Sequence, residues 1–308
     1  MWIEPTNRCN LRCPMCPTGL PDGGASSGSM DLSLFHRVVE QLRDRSTVVY
    51  LHLAGEPLLH PDLPEMVSVA RAQGTLVGFF TNGTLLTDAL ASRLIGAGLD
   101  WIGFSFDGWD PGSHSAVRVG SRFEQTLANV ERFLETRRRR ASRTPRVTLS
   151  VIDLPPVRTP AGRAGLDALR RRLTSLGLDE FQITPAHRWA GASVADPPAG
   201  GPAGEETAPS TRCPFPWSGL AVRWDGTYVP CCIDLSGAMP LGRVGEHRLA
   251  DLWNGETMQR FRSRMARLDL DTLPLCRRCH VVRDRRWFGL PRRVWAELLE
   301  TLRVRGGR

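Results

Sequence analysis

The chain has 308 residues, 40 Arg plus Lys against 32 Asp plus Glu, and a formal net charge of +8, and it contains no lysine, so its basic complement is arginine throughout. A lysine Schiff base and a Walker-type phosphate loop are therefore excluded, since both need the amine. No run of about 18 apolar residues is present to span a membrane. The opening Met1-Trp2-Ile3-Glu4-Pro5-Thr6 lacks the basic and apolar regions of a secretory signal, so a cytoplasmic protein is expected, and its eight cysteines should be reduced thiols holding metal.

Short β-type runs alternate with helix-period segments from the first residue. Strands are predicted at residues 2–5, 48–53, 75–80, 101–106, 146–152 and 180–183, and helices near 32–43, 64–73, 88–96, 123–137 and 165–176. Six βα units in series predict an α/β fold whose parallel sheet winds into a partial (β/α)6 TIM-like barrel. A complete eight-fold barrel would need more chain than remains before the composition changes. It changes at Gly191, after which Gly, Pro, Ala and Ser dominate. The expected organisation is thus a core over 1–190, a linker over 191–212 and a second part over 213–308.

In the second part, apolar runs at 220–224 and 228–230 flank Asp225-Gly226, a hairpin signal. A helical stretch near 249–268 and a C-terminal helix near 293–304 follow. So little apolar chain predicts no core of its own, and a metal staple instead. The densest basic run, Arg137-Arg138-Arg139-Arg140, ends a helical pattern and reads as a solvated helix end, with no nucleic-acid partner implied.

Cys9, Cys13 and Cys16 form a Cys-x3-Cys-x2-Cys motif just after the first predicted strand. Three thiolates can hold three corners of a [4Fe–4S] cube, leaving one iron for a small molecule. Structural zinc normally closes with four ligands, which this fragment does not supply. Further candidates fall at predicted strand ends: Ala54-Gly55-Glu56-Pro57, Thr81-Asn82-Gly83 and Ser105-Phe106-Asp107-Gly108. Each alone reads as a turn, but chemistry in barrel folds collects at the C-terminal ends of parallel strands.

The stretch from Thr6 to Cys16 resembles the cluster-binding loop of the radical S-adenosylmethionine (SAM) superfamily, and the resemblance covers roughly the first 185 residues. It implies that the open iron of the cluster chelates the amino and carboxylate groups of SAM. One electron then cleaves a carbon–sulfur bond, and the 5′-deoxyadenosyl radical removes hydrogen from an unactivated carbon. Met15 stands where the family often places an aromatic residue against adenine. Gly55, Glu56 and Pro57 resemble a Gly-Gly-Glu-Pro motif whose glutamate receives the SAM ammonium. Asn82, Ser105 and Asp107 lie in segments that resemble further SAM contacts.

The pattern Cys213-x12-Gly226-x4-Cys231, with Trp217 and a later Cys276-Arg-Arg-Cys279, resembles the SPASM extension in its shortened "twitch" form. That resemblance implies one auxiliary [4Fe–4S] cluster on Cys213, Cys231, Cys276 and Cys279, although a four-cysteine zinc site would use the same ligands. Cys232 is left over, as a small residue beside a ligand, an alternative ligand, or a catalytic hydrogen-atom donor. His187 is a candidate substrate contact.

The implied reaction is oxidation of a small sugar- or cyclitol-like substrate, with epimerisation through Cys232 and peptide modification as alternatives. A chain that starts directly before its first strand, with no leader-binding domain, lowers the peptide reading. A non-catalytic iron–sulfur or zinc module is opposed by the SAM motifs. Arg277, Arg278, Arg283, Arg285 and Arg286 suggest a docking face for flavodoxin or ferredoxin as electron donor.

Overall fold

The predicted alternation folds as a parallel sheet of six strands, β1 (Trp2–Ile3), β2 (Val48–Tyr50), β3 (Leu76–Thr81), β4 (Trp101–Ser105), β5 (Arg146–Asp153) and β6 (Glu180–Pro185), adjacent in the order β6-β5-β4-β3-β2-β1. The computed structural model describes residues 1–19, 27–43, 47–186, 211–277, 279–283, 286–287 and 290–291. Helices α1 (Leu32–Glu40), α2 (Leu63–Ala72), α3 (Asp88–Gly96), α4 (Pro111–Val117), α5 (Phe123–Arg139) and α6 (Pro160–Ser175) fill the crossovers. Side-chain caps start several of them: Asp31 accepts from Ser33 N, Thr87 from Leu90 N and Thr159 from Gly162 N. The short α4, which the periodicity missed, is nucleated by a capping box between Asp110 and Ser113.

Strand alternation sorts the two faces of the sheet. Val49, Val77, Phe79, Ile102, Phe104 and Leu149 are buried in the main core. Opposite-parity residues Trp2, Tyr50, Phe80 and Trp101 face the concave side, where Trp2 stacks on Tyr50 at 5.0 Å and Phe80 meets Trp101 edge-on at 5.2 Å. The Trp101 ring lies over Gly78 and the Phe80 ring over Gly103, where a Cβ would come within 2.1 and 2.2 Å of ring atoms. Aromatic rings thus fill one part of the concavity, while β4 and β5 present Ser105, Thr148 and Ser150 on the same face.

β1 and β2 are shorter than the apolar runs that predict them. Beyond their ends the Glu4 carboxylate ties neighbouring segments: Oε1 accepts from Ala54 N at 3.1 Å and Oε2 from Trp224 N at 3.0 Å. The sheet also continues beyond the core. β7 (Ala221–Val222) pairs in parallel with β1, and β8 (Thr227–Val229) and β9 (Gly242–Arg243) follow antiparallel. The expected hairpin is present with shorter strands, turning at Gly226 with φ +82°. Among the described residues β6 and β9 form the two edges of the sheet.

Two expectations are corrected. The predicted helix at 249–268 is split at Gly255 into α8 (Leu249–Asn254) and α9 (Glu256–Arg267), after a short α7 (Phe215–Ser218) and before α10 (Pro274–Arg277). The second part also has an apolar cluster of its own, in which Met258, Phe261 and Met265 of α9 pack with Phe215, Leu270 and Val282. Their i, i+3, i+7 spacing was hidden by the arginines between them. Arg137 likewise departs from the solvated run: it is buried, donates to Pro145 O at 2.8 Å and pairs with Asp179, while Arg138, Arg139 and Arg140 are exposed. Residues 191–210 of the expected linker, His187, Arg278, Arg285 and the helix expected at 293–304 lie outside the described residues. Among the described residues no helix is long and apolar enough to cross a membrane.

Candidate functional site: two cysteine centres

The chain leaves β1 and turns into the Cys9–Cys16 loop at the C-terminal edge of the sheet. Thr6 anchors the turn, its hydroxyl donating to Gly28 O at 2.7 Å and accepting from Arg8 N at 3.2 Å. Within the loop, Leu11 N donates to Cys9 Sγ at 3.4 Å and Cys16 N to Cys13 O at 3.0 Å. Burial raises the Cys9 thiol to about 11, with Glu56, Cys16 and Cys13 adding in the same direction. Cys13 is also raised by burial, against the opposing charge of Arg118. Cys9 and Cys13 therefore stay protonated until a cation displaces the proton.

The loop rests on the other strand ends. Gly55, with φ +68°, packs where a Cβ would lie 2.5 Å from the main-chain oxygens of Thr6 and Arg8, and Glu56 N donates to Arg8 O at 2.8 Å. The buried Glu56 carboxylate accepts from Leu58 N at 3.0 Å, Thr81 Oγ1 at 2.6 Å and Asn82 N at 2.7 Å, tying β2 to β3. Burial raises its pKa, and these donors oppose the rise. Asn82 in turn donates to Asn10 Oδ1 at 3.0 Å. Pro57 starts a single buried 3-10 turn, and Met15 and Ser105 are half-buried.

Asp107 is committed inside the protein: Oδ1 accepts from Ile152 N at 2.6 Å and Oδ2 from Arg118 Nε at 2.6 Å. Glu4, Arg118 and Asn10 escaped the sequence reading because nothing in their local sequence marks them. His52 escaped it too. It follows Tyr50 on the concave face, accepts from Phe80 N at 3.3 Å, and is lowered to about 4 by burial, so it is neutral at pH 7.

The second centre is a cavity below α9 lined by Cys213, Cys231, Cys276 and Cys279 together with apolar side chains that include Phe215 and Phe261. Burial pushes Cys213 and Cys276 up, each reinforced by the neighbouring thiols. Cys231 is lowered, chiefly by a hydrogen bond from Cys232. Cys232 is half-buried beside it, with electrostatic coupling to the Met1 amino group. Trp2 joins this cavity to the concave face by an edge contact with Phe215 at 5.5 Å.

Each centre offers cysteine thiols as its donor set, the donors that iron–sulfur cubes take. A cube spreads its thiolates over separate corners, and thiolate-rich donors select such clusters.

Residues 3–156 match the Radical SAM superfamily, and residues 213–280 match the SPASM iron–sulfur cluster-binding domain. The chain is 27% identical over 301 residues to the tungsten-containing aldehyde ferredoxin oxidoreductase cofactor-modifying protein of Pyrococcus furiosus, across 85% of this chain and 82% of that one. Among solved structures, BtrN in complex with AdoMet and 2-DOIA matches with a TM-score of 0.59 at 18% identity, over 90% of this chain and 91% of that one. SuiB of Streptococcus suis bound to its precursor peptide SuiA matches with a TM-score of 0.67 at 14% identity, over 85% and 66%. At these identities the likeness to the solved structures is one of fold.

Proposed function

The chain belongs to the radical SAM superfamily and carries a SPASM iron–sulfur domain, and from that premise we propose that it oxidises a carbon of a small sugar- or cyclitol-like substrate, as a dehydrogenase. On this reading Cys9, Cys13 and Cys16 hold the [4Fe–4S] cluster that binds SAM, and Cys213, Cys231, Cys276 and Cys279 hold an auxiliary [4Fe–4S] cluster. When bound, these groups supply an electron for SAM cleavage, the 5′-deoxyadenosyl radical that abstracts hydrogen, and an acceptor for the electron left by oxidation.

The chain's own residues bind and orient. Glu56 keeps Oε2, which accepts from Asn82 N, for the SAM ammonium, while Oε1 accepts from Thr81 and Leu58 and ties the strand ends. Gly55 and Pro57 shape that turn, Asn82 steadies the cysteine loop, Met15 covers adenine, and Ser105 reaches the ribose or carboxylate. Asp107 acts at one remove, through Arg118.

The observation that carries the dehydrogenase reading is the apolar cavity ringed by four thiols. A centre whose ligands are all thiolates keeps no position open for substrate, which suits outer-sphere electron acceptance. BtrN, whose solved structure holds 2-DOIA, supports a small substrate, and SuiB, bound to a peptide, supports the peptide alternative, both at the level of fold alone. A flavodoxin or ferredoxin donor finds an arginine, the exposed Arg277, directly beside Cys276. The test is anaerobic incubation with SAM and a panel of cyclitols and aminocyclitols, scored by mass. Formation of 5′-deoxyadenosine with a product two hydrogens lighter is expected, whereas a product of unchanged mass overturns oxidation.

A second reading, epimerisation, is favoured by the Cys232 thiol beside Cys231. It requires Cys232 to return a hydrogen atom, so product formed in deuterated water would gain one carbon-bound deuterium, and Cys232→Ala would abolish product while SAM cleavage continued.

A further inference from the structure

We propose that Arg118 sets the reduction potential of the three-cysteine centre, with Asp107 holding the guanidinium in place and attenuating its charge. The proposal rests on the reading that Cys13 binds a cluster. Arg118 follows the last turn of α4, and its Nη1 lies 4.0 Å from Cys13 Sγ while its Nε donates to Asp107 Oδ2 at 2.6 Å. The two side chains are 15% and 2% exposed, so water screens them little.

The arrangement is braced on every side. Ile152 N donates to the second oxygen of Asp107 at 2.6 Å. His114 bridges the segment, with Nδ1 2.5 Å from Asp107 O and Nε2 2.8 Å from Ser121 Oγ. Arg12 N of the cysteine loop donates to Val119 O at 2.9 Å, so the residue after Arg118 is bonded directly to the loop. The guanidinium therefore cannot swing out to solvent without breaking the ion pair with Asp107 and leaving Cys13 Sγ.

Reduction adds negative charge to a cluster and its sulfurs. A cation that also donates an N–H to a ligand sulfur favours the reduced state, and hydrogen bonds and net charge near the sulfurs are the protein's means of tuning the potential. Arg118 brings that charge to Cys13, and Asp107 partly cancels it from the far side. Removing one or the other must then shift the potential in opposite directions, which an effect of structural damage would not do.

The experiment is a redox titration of anaerobically reconstituted full-length protein followed by electron paramagnetic resonance, with the open centre identified by the change in its signal on adding SAM. Arg118→Gln is expected to make reduction about three- to tenfold less favourable, tenfold being 59 mV for one electron. Asp107→Asn, which keeps an acceptor for Ile152 N, is expected to shift the midpoint the opposite way, and Arg118→Lys to retain most of the wild-type value. Should Arg118→Gln fail to fold over an unpaired Asp107, the double variant Asp107→Asn/Arg118→Gln removes both charges together and is expected to fall between the single shifts. Unchanged midpoints with full iron content, shifts of the same sign, or lost SAM affinity at constant potential would each overturn the proposal. Absence of any SAM-sensitive signal in the wild-type protein would instead sink the cluster reading beneath it.

Discussion

Cys9, Cys13 and Cys16 come from one loop and are steadied by polar groups, while Cys213, Cys231 and the Cys276–Cys279 pair come from three separate places and meet among apolar side chains. The first set lies at the C-terminal ends of the strands, where Asn10, Asn82 and Glu56 form a hydrogen-bonded net and Arg118 reaches Cys13 from Asp107. The second is enclosed by the cluster that α9 provides. The contrast matches the roles proposed for the two centres. A centre that binds a charged small molecule needs approach, donors and acceptors. A centre that only exchanges electrons is best kept dry, where burial holds Cys213 and Cys276 protonated until metal enters.

The comparison is broken most directly by removing one set at a time. Replacing Cys9, Cys13 and Cys16 together with Ala should take away about half of the roughly eight irons and all SAM cleavage, leaving the C-terminal centre's absorbance in place. Retained formation of 5′-deoxyadenosine would end the assignment of the open site. The reciprocal change, Cys213→Ala with Cys276→Ala, should remove the other half of the iron and lower the thermal midpoint, because Cys213 is also part of the apolar cluster. SAM binding to the loop should survive. A variant that lost both irons sets at once would show that the two centres fold as one unit.

A finer cut is Glu56→Ala. If its carboxylate receives the SAM ammonium, SAM affinity should fall by about tenfold to a hundredfold, the equivalent of ~1.5–3 kcal/mol for a charge-assisted hydrogen bond. Titration calorimetry against iron content separates this from damage to the loop. Equal losses of iron and affinity would make Glu56 a knot between β2 and β3 and nothing more.

A further effect concerns acid. His52 is lowered from 6.5 to about 4 by burial, so the unfolded chain binds its proton first as pH falls. Stability from the neutral ring is fully present above about pH 6.5 and is lost as pH drops toward 4, by at most ~3 kcal/mol. Denaturant unfolding of the wild type should show that slope and His52→Gln should flatten it. An identical slope in both would place the acid sensitivity elsewhere, for instance at the cysteine centres.

Much of this was written locally. The three-cysteine loop, Ala54-Gly55-Glu56-Pro57 and Ser105-Phe106-Asp107-Gly108 are contiguous motifs at the ends of strands whose alternation is itself local, so the sequence by itself determined the parallel α/β core and the order of the candidate residues. It also marked the seven cysteines, since spacing survives without a fold. What only tertiary structure decided are relations between segments far apart in the chain. Glu4 joins Ala54 to Trp224 across the two parts, and β7 extends the core sheet beyond the expected boundary. Arg118 reaches Cys13 from 105 residues away. The apolar stripe of α9 becomes a core only when it meets Phe215 and Val282. A buried carboxylate or guanidinium looks like any surface charge in a sequence. Its partner is supplied by the fold, and without that partner the cost of burying the charge would forbid the position.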